Sequence, residues 1–272
     1  MNAHKNGNIN QYIFEKYIPV FWTEVQVSPK YDEVLVTKII DDENFFIWKL
    51  WRLLELLPKD IPFFTIVQHD DGIRMSSMPK NLISFSMGGS GNVPIPLTYN
   101  FPSFFDNYKN QEKTLLCSFV GSLTHPCRNK MIDVLNDKSN VILITNEWTN
   151  QVQEDKQELY LNVMSKSRFT LAPRGYGKTS FRLYEALHLG SIPVYIYDDA
   201  WLPYEDNLEW NKMAVLVHVD ELDGLYDRLL NISNSEITAM LAYYKKVEYN
   251  FTYDGICEYI LNNFTFIKNI II

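Results

Sequence analysis

The stretch Arg168-Phe-Thr-Leu-Ala-Pro-Arg-Gly-Tyr-Gly-Lys-Thr-Ser-Phe-Arg-Leu-Tyr-Glu-Ala-Leu-His-Leu-Gly-Ser-Ile-Pro-Val-Tyr-Ile-Tyr197 decides the fold. It reads as a strand over Arg168–Ala172, a glycine-containing loop, a helix over Ser180–Leu189 and a strand over Ile192–Tyr197. Gly190 stands where a C′ glycine ends a helix, and Pro193 opens the next strand. The loop carries Gly175 and Gly177 and feeds a helix N-terminus at Thr179 or Ser180. Unpaired N–H groups and the positive end of the helix dipole meet there, which suits an anion and above all a diphosphate. Local charge agrees. No acidic residue falls between Glu158 and Glu185, whereas Lys166, Arg168, Arg174, Lys178 and Arg182 all do. Arg182 and Glu185, three apart, share a helix face. They read either as an intrahelical ion pair or as a phosphate contact beside an acceptor for ribose hydroxyls.

The same strand–helix alternation extends outward, which predicts α/β architecture. Further strands are expected at Val34–Ile39, Phe63–Gln68, Leu82–Ser86, Thr114–Val120, Val141–Thr145 and Met213–Val219. Helices are expected at Phe45–Leu57, Arg128–Leu135, Glu154–Ser165, Asp220–Asn231 and Ser235–Tyr249. In the first of these, Phe46, Leu50, Leu53, Leu54 and Leu57 form one apolar face. Glycines and prolines crowd Met87–Asn110, marking a boundary between two domains of about 100 and 160 residues. The domains are taken as 1–105 and 106–272, with the last helix free to pack back on the first.

Composition bounds the function. The chain has 272 residues, 46% of them hydrophobic, enough for a sizeable core and too many for global disorder. A formal charge of −8 argues against a generic nucleic-acid or anionic-membrane binder. Cys117, Cys127 and Cys257 lack zinc-type spacing and are too few for a disulfide framework. Neither a secretory signal nor an apolar run of spanning length is visible, so the chain is expected to be soluble and cytoplasmic, without anchor or stem, and its sequons at Asn231, Asn250 and Asn263 unused.

Gly177-Lys178-Thr179 looks like the end of a Walker A loop, but that pattern needs glycine where Ala172 stands, and little chain remains for a P-loop sheet. A P-loop kinase or ATPase is therefore the alternative reading. A second alternative is a non-catalytic glycan-binding subunit.

Pro173-Arg174-Gly175-Tyr176-Gly177, Thr179–Leu187, Gly190, Ile192-Pro193-Val194 and Asp198-Asp199 together resemble the core of the exostosin-like glycosyltransferases. Phe119-Val120-Gly121-Ser122, His125-Pro126 and Arg128 resemble the first strand and loop of that family's C-terminal domain. Leu202-Pro203 and Leu208-Glu209-Trp210 resemble the segment after its donor site. Tyr17–Thr23, Gln68–Gly72 and Asn92–Pro96 are similar to N-terminal landmarks.

The resemblance implies a GT-B fold of two Rossmann-like domains around a donor cleft. It further implies a UDP-sugar donor, a glycan hydroxyl as acceptor, inversion, and no tightly bound cofactor or metal. The chain has no D-x-D motif, which fits leaving-group stabilisation by cations instead. Donor binding is expected from Ser122, Arg128, Arg174, Gly175, Tyr176, Gly177, Lys178, Thr179, Ser180, Arg182 and Glu185, with Glu185 on the ribose. The donor sugar stays open among xylose, glucuronic acid, galactose and N-acetylglucosamine, the first two being carried forward; oligomeric state stays open too.

An inverting transfer needs a base for the acceptor hydroxyl. Asp70 is the first candidate because it follows an apolar strand; His69, Asp71 and Glu24 are alternatives, and Asp70-Asp71-Gly72 also reads as a plain turn. His125 and His188 are expected to be structural. Trp201, Tyr204 and Trp210 read as core residues before sugar-stacking ones.

Overall fold

The computed structural model describes residues 16–27, 45–75, 78–149 and 153–271. The expected strand at Val34–Ile39 lies outside them. The chain forms two compact units, Met1–Pro96 with Asp254–Ile272, and Leu97–Tyr253. Both are built on parallel sheets flanked by helices, so the protein is mixed α/β.

The second unit carries strands β4 (Leu115–Gly121), β5 (Val141–Thr145), β6 (Ser167–Pro173), β7 (Ile192–Tyr197) and β8 (Val215–His218) in the order β5-β4-β6-β7-β8. Central strands β6 and β7 are buried almost throughout, as a parallel strand covered on both faces must be. Edge strand β8 alternates buried and part-buried positions. Helices α3 (Pro126–Leu135), α4 (Glu154–Ser165) and α5 (Arg182–His188) connect the strands, followed by α6 (Leu225–Asn231) and α7 (Asn234–Val247). Met131 and Leu135 of α3 and Leu225 and Leu229 of α6 pack with Phe169, Leu171, Ile192 and Val194 in the main core. Leu161 and Met164 of α4 meet Ala186 of α5, Leu189 and Phe105 in another. Each such fully buried large side chain stabilises the fold by roughly 1.5–3 kcal/mol.

The first unit has a three-stranded parallel sheet, β1 (Phe63–Val67), β2 (Leu82–Ser86) and β3 (Val93–Pro94). On it pack α1 (Trp22–Gln26), α2 (Phe45–Glu55) and α8 (Tyr253–Ile271). Ile256, Ile260 and Phe264 of α8, spaced by four, meet Phe64, Ile83 and Phe85. Trp22 meets Leu54, Phe63 and Val67.

Several elements differ from the sequence expectation. Helix α5 begins at Arg182, two residues late, because the Ser180 hydroxyl accepts from the Arg182 amide instead of entering the helix. The helix expected over Asp220–Asn231 splits into a 3₁₀ turn over Val219–Gly224 and α6. The poor helix propensity of Gly224 accounts for the break. Leu53 is 56% exposed, so the buried stripe of α2 is narrower than expected. The last helix expected, Ser235–Tyr249, is α7 and stays in the second unit, while no helix was expected over the residues of α8, which returns to the first. Among the described residues no helix is long and apolar enough to cross a membrane.

Candidate active site

Strand order places the site in the second unit. The chain leaves β4 for β5 on one side, then returns past β4 to build β6, β7 and β8 on the other. The direction of winding therefore reverses between β4 and β6, and in open parallel sheets the crevice beyond the carboxyl ends at such a reversal receives ligands. A cavity of about 520 Å³ opens there, lined by Gly121 at the end of β4 and Ser122 after it, Arg128 of α3, Tyr160 of α4 and Ser180–Arg182 with Glu185. Its volume lies within the roughly 300–1,000 Å³ of small-molecule sites.

Two guanidinium groups form its wall. Arg128 is 7% exposed; its Nε donates to Arg174 O at 2.9 Å and its Nη1 to Ser122 O at 2.6 Å. It thereby clamps the β4 and β6 loops together. Burial, then the neighbouring Arg182, pull its pKa down to about 10, so it stays cationic at neutral pH. Gly175 is needed beneath it, because a Cβ there would stand 2.7 Å from the Arg128 Nη2. Arg182 lies over the Phe119 ring (4.8 Å) and the Tyr160 ring (5.6 Å), within cation–π range of both. Its Nη2 donates to Val120 O at 2.7 Å and its Nη1 to Ser180 Oγ at 3.3 Å; its buried Nε has no partner. Both cations are held by neutral oxygens, which leaves their charge uncancelled.

Glu185 faces the same cavity and is 7% exposed. Tyr99 donates to its Oε1 at 2.6 Å and Tyr160 to its Oε2. Arg182 and Glu185 thus bond to other groups and not to each other, which removes the ion-pair reading.

The remaining basic residues behave differently. Arg174 pairs with Asp198 at 2.7 Å and donates to Tyr176 O at 3.0 Å. Lys178 pairs with Asp199 at 2.6 Å and lies over the Trp201 ring. The phenol of buried Tyr195 donates to Lys178 O and accepts from Trp201 N. These contacts brace the loop containing Gly177 and Thr179, both buried, while Tyr176 is 65% exposed. The acid-free island in sequence is therefore partly neutralised in space by Asp198-Asp199. The loop also lacks P-loop form, since Lys178 and Thr179 precede the helix by several residues.

The other residues singled out in the sequence lie outside the cavity lining. His125 caps α3 by accepting from Cys127 N at 3.3 Å, and its Nε2 stands 3.7 Å from Asp198. Ligand atoms of His125, Cys127 and Asp198 lie within 4.8 Å of one another, so this is where a metal ion could be held. Buried Tyr204 and Trp210 belong to the core, Trp210 donating to Pro203 O. His188 stacks on Phe101 at 4.2 Å.

His69, Asp70 and Asp71 lie in the first unit, at the carboxyl end of β1. They form a tight turn: Gly72 N donates to His69 O at 3.0 Å, and Asp71 N donates to His69 Nδ1 at 3.1 Å. Gly72 takes φ +66°, and Gly88 is required because a Cβ there would press on Asp70 Cα at 2.5 Å. Buried Gln26 fixes the turn from α1, donating to Gly72 O and accepting from Arg74 N. Glu24, on the same helix, is exposed.

The sequence reasoning missed Tyr99, Tyr160 and Phe119, whose side chains set the geometry of Arg182 and Glu185. No local pattern marks them: Tyr160 lies 25 residues and Tyr99 86 residues from Glu185. In sequence, Phe119 reads only as part of a strand.

A parallel α/β unit with an arginine-walled, carboxylate-bearing cavity at its switch point has the layout in which open α/β sheets receive ligands. Residues 59–231, more than half of the chain, match the Exostosin GT47 domain, and the chain belongs to that family of glycosyltransferases. It is 29% identical over 136 residues to a protein of Arabidopsis thaliana named "probable glycosyltransferase", covering 50% of this chain and 28% of that protein. It is 27% identical over 149 residues to an exostosin-1 homolog of Caenorhabditis elegans, covering 48% and 39%. It is 37% identical over 94 residues to a "probable glucuronosyltransferase" of Oryza sativa subsp. japonica, covering 34% and 22%. The chain spans well under half the length of each of these relatives.

Proposed function

We propose that the protein transfers a sugar from a UDP-sugar to a hydroxyl of a glycan acceptor, with inversion and without a metal. The observation that carries this reading is the pairing, in one cavity, of two carboxylate-free guanidinium groups with a fixed carboxylate. Arg128 and Arg182 suit a diphosphate, and Glu185 suits sugar hydroxyls. The reading brings a GT-B organisation with it, the second unit taking the nucleotide and the first supplying the base. UDP-glucuronic acid and UDP-xylose are the first donors to test; the Oryza sativa relative is named a probable glucuronosyltransferase.

In the proposed reaction, Asp70 takes the acceptor hydroxyl proton, with His69 and Asp71 as the alternatives. The acceptor oxygen bonds to the anomeric carbon as the bond from that carbon to the diphosphate oxygen breaks. UDP leaves with the electron pair, and Arg128 and Arg182 stabilise its developing charge. Their stabilisation is strongest when the charge is fully formed, which is what lowers the barrier. Transfer from UDP-glucuronic acid and UDP-xylose to a glycan panel, assayed with and without EDTA, tests the reading. Transfer that survives EDTA supports it. Transfer abolished by EDTA and restored by a divalent ion contradicts its metal-free part and directs attention to His125, Cys127 and Asp198.

A further inference from the structure

Tyr160 touches both charged groups of the cavity at once. Its ring lies under the Arg182 guanidinium, and its phenol donates to Glu185. Tyr99 donates to the other carboxylate oxygen and is itself locked among Phe101, Phe105 and Phe181, with ring centroids 5.1–6.3 Å away. Burial and the adjacent carboxylate raise both phenol pKa values, so both remain O–H donors over the whole working pH range.

Without these two donors, an unsatisfied partner for Glu185 remains on its own helix. Arg182, three residues earlier, has a buried Nε with no acceptor, and residues at that spacing are within reach of each other. Pairing the two would join the carboxylate to the guanidinium and withdraw both from a ligand. The phenols prevent this by giving each carboxylate oxygen a bond from the protein side. Each oxygen keeps lone-pair capacity for one further donor. Two oxygens, each held and each with room for one more bond, match two neighbouring hydroxyl groups.

We infer that Tyr160 and Tyr99 are positioning residues that hold Glu185 away from Arg182 and present it to a vicinal diol, which makes the cavity selective for a ribonucleotide over a deoxyribonucleotide. The inference rests on the nucleotide reading of the cavity. It adds a selectivity and assigns it to two side chains that need not touch the ligand.

The test is titration of the full chain with UDP, 2′-deoxy-UDP and inorganic pyrophosphate, for the wild type, Tyr160→Phe and Tyr99→Phe. Phenylalanine keeps the ring under Arg182 and removes only the phenol oxygen. The wild type should prefer UDP to 2′-deoxy-UDP by about tenfold or more, the scale of a hydrogen bond to a charged group. In Tyr160→Phe the preference should fall to about threefold or less, through loss of UDP affinity. Pyrophosphate affinity should not rise in Tyr160→Phe, because Arg182 is then engaged by Glu185. Tyr99→Phe should move the preference in the same direction, and it serves where Tyr160→Phe does not fold. Wild-type affinity for UDP with the ribose preference intact in both variants would overturn the inference and leave the nucleotide reading standing. A folded wild type that binds no UDP would overturn both.

Discussion

The Nη2 of Arg182 occupies the space that a Cβ on Gly121 would need. Gly121 ends β4 and Arg182 opens α5, so this one close approach seats a helix cation at the mouth of the central strand. A glycine at this position is required by contact, since its φ is not in the left-handed region. Gly121→Ala should push the guanidinium off Val120 O and away from the cavity. UDP affinity is expected to fall by about 10- to 100-fold, the loss of about 1.5–3 kcal/mol for a bond to a charged group. Calorimetric titration checks this, and unchanged affinity would remove Arg182 from the phosphate site.

Arg128 is expected to matter for folding as well as for binding. Arg128→Ala leaves Ser122 O and Arg174 O without their donors, at a cost of about 1–3 kcal/mol for each acceptor left buried. Arg128→Lys retains charge but cannot span both carbonyls, so it should rescue only part of the loss. Urea denaturation of the two variants measures the difference. Equal stability of wild type and Arg128→Ala would show that the loops do not depend on this clamp.

His188 should make stability depend on pH. Burial first, and then nearby Lys109, hold its pKa down at about 4, below the ordinary 6.5; Lys245 acts in the same direction, while Asp106 and Glu248 oppose it. Between those values the unfolded chain takes up a proton that the folded chain refuses. The contribution of His188 is therefore fully present above about pH 6.5 and is lost progressively as the pH falls towards 4. His188→Phe preserves a ring against Phe101 and removes the titration. The fall in Tm between pH 7.5 and pH 5 should be smaller in the variant than in the wild type; an equal fall would assign the pH dependence to other groups.

Asp70→Asn separates the two proposed roles of the units. Removing the base should lower kcat by roughly 10²–10⁴-fold while leaving UDP affinity unchanged. Full turnover in Asp70→Asn would pass the role to His69 or Asp71.

The parts of this protein legible in sequence are those set by local pattern. Strand β7 matches its expected bounds, and Gly190 takes φ +70° after α5, as the C′ reading requires. Of the residues expected at a donor site, Ser122, Arg128, Ser180, Arg182 and Glu185 line one cavity, whereas Arg174, Gly175, Tyr176, Gly177, Lys178 and Thr179 do not line it. What stayed hidden depends on tertiary contact. Asp198 and Asp199 stand out in sequence only as part of the family resemblance, yet they neutralise Arg174 and Lys178 in the folded chain. Helix α8 is rich in isoleucine, asparagine and aromatic residues, whose modest helix propensity hid a pattern of apolar residues spaced by four. The phenols of Tyr99 and Tyr160 reach Glu185 from segments that no motif joins to it.

Titration of the folded chain with UDP in the presence of EDTA, repeated with Arg182→Ala, tests the central claim most directly. The account predicts saturable binding to a single site in the wild type and its loss in the variant. Absence of UDP binding by the folded wild type would contradict it, as would Mg-ATP binding that disappears in Lys178→Ala.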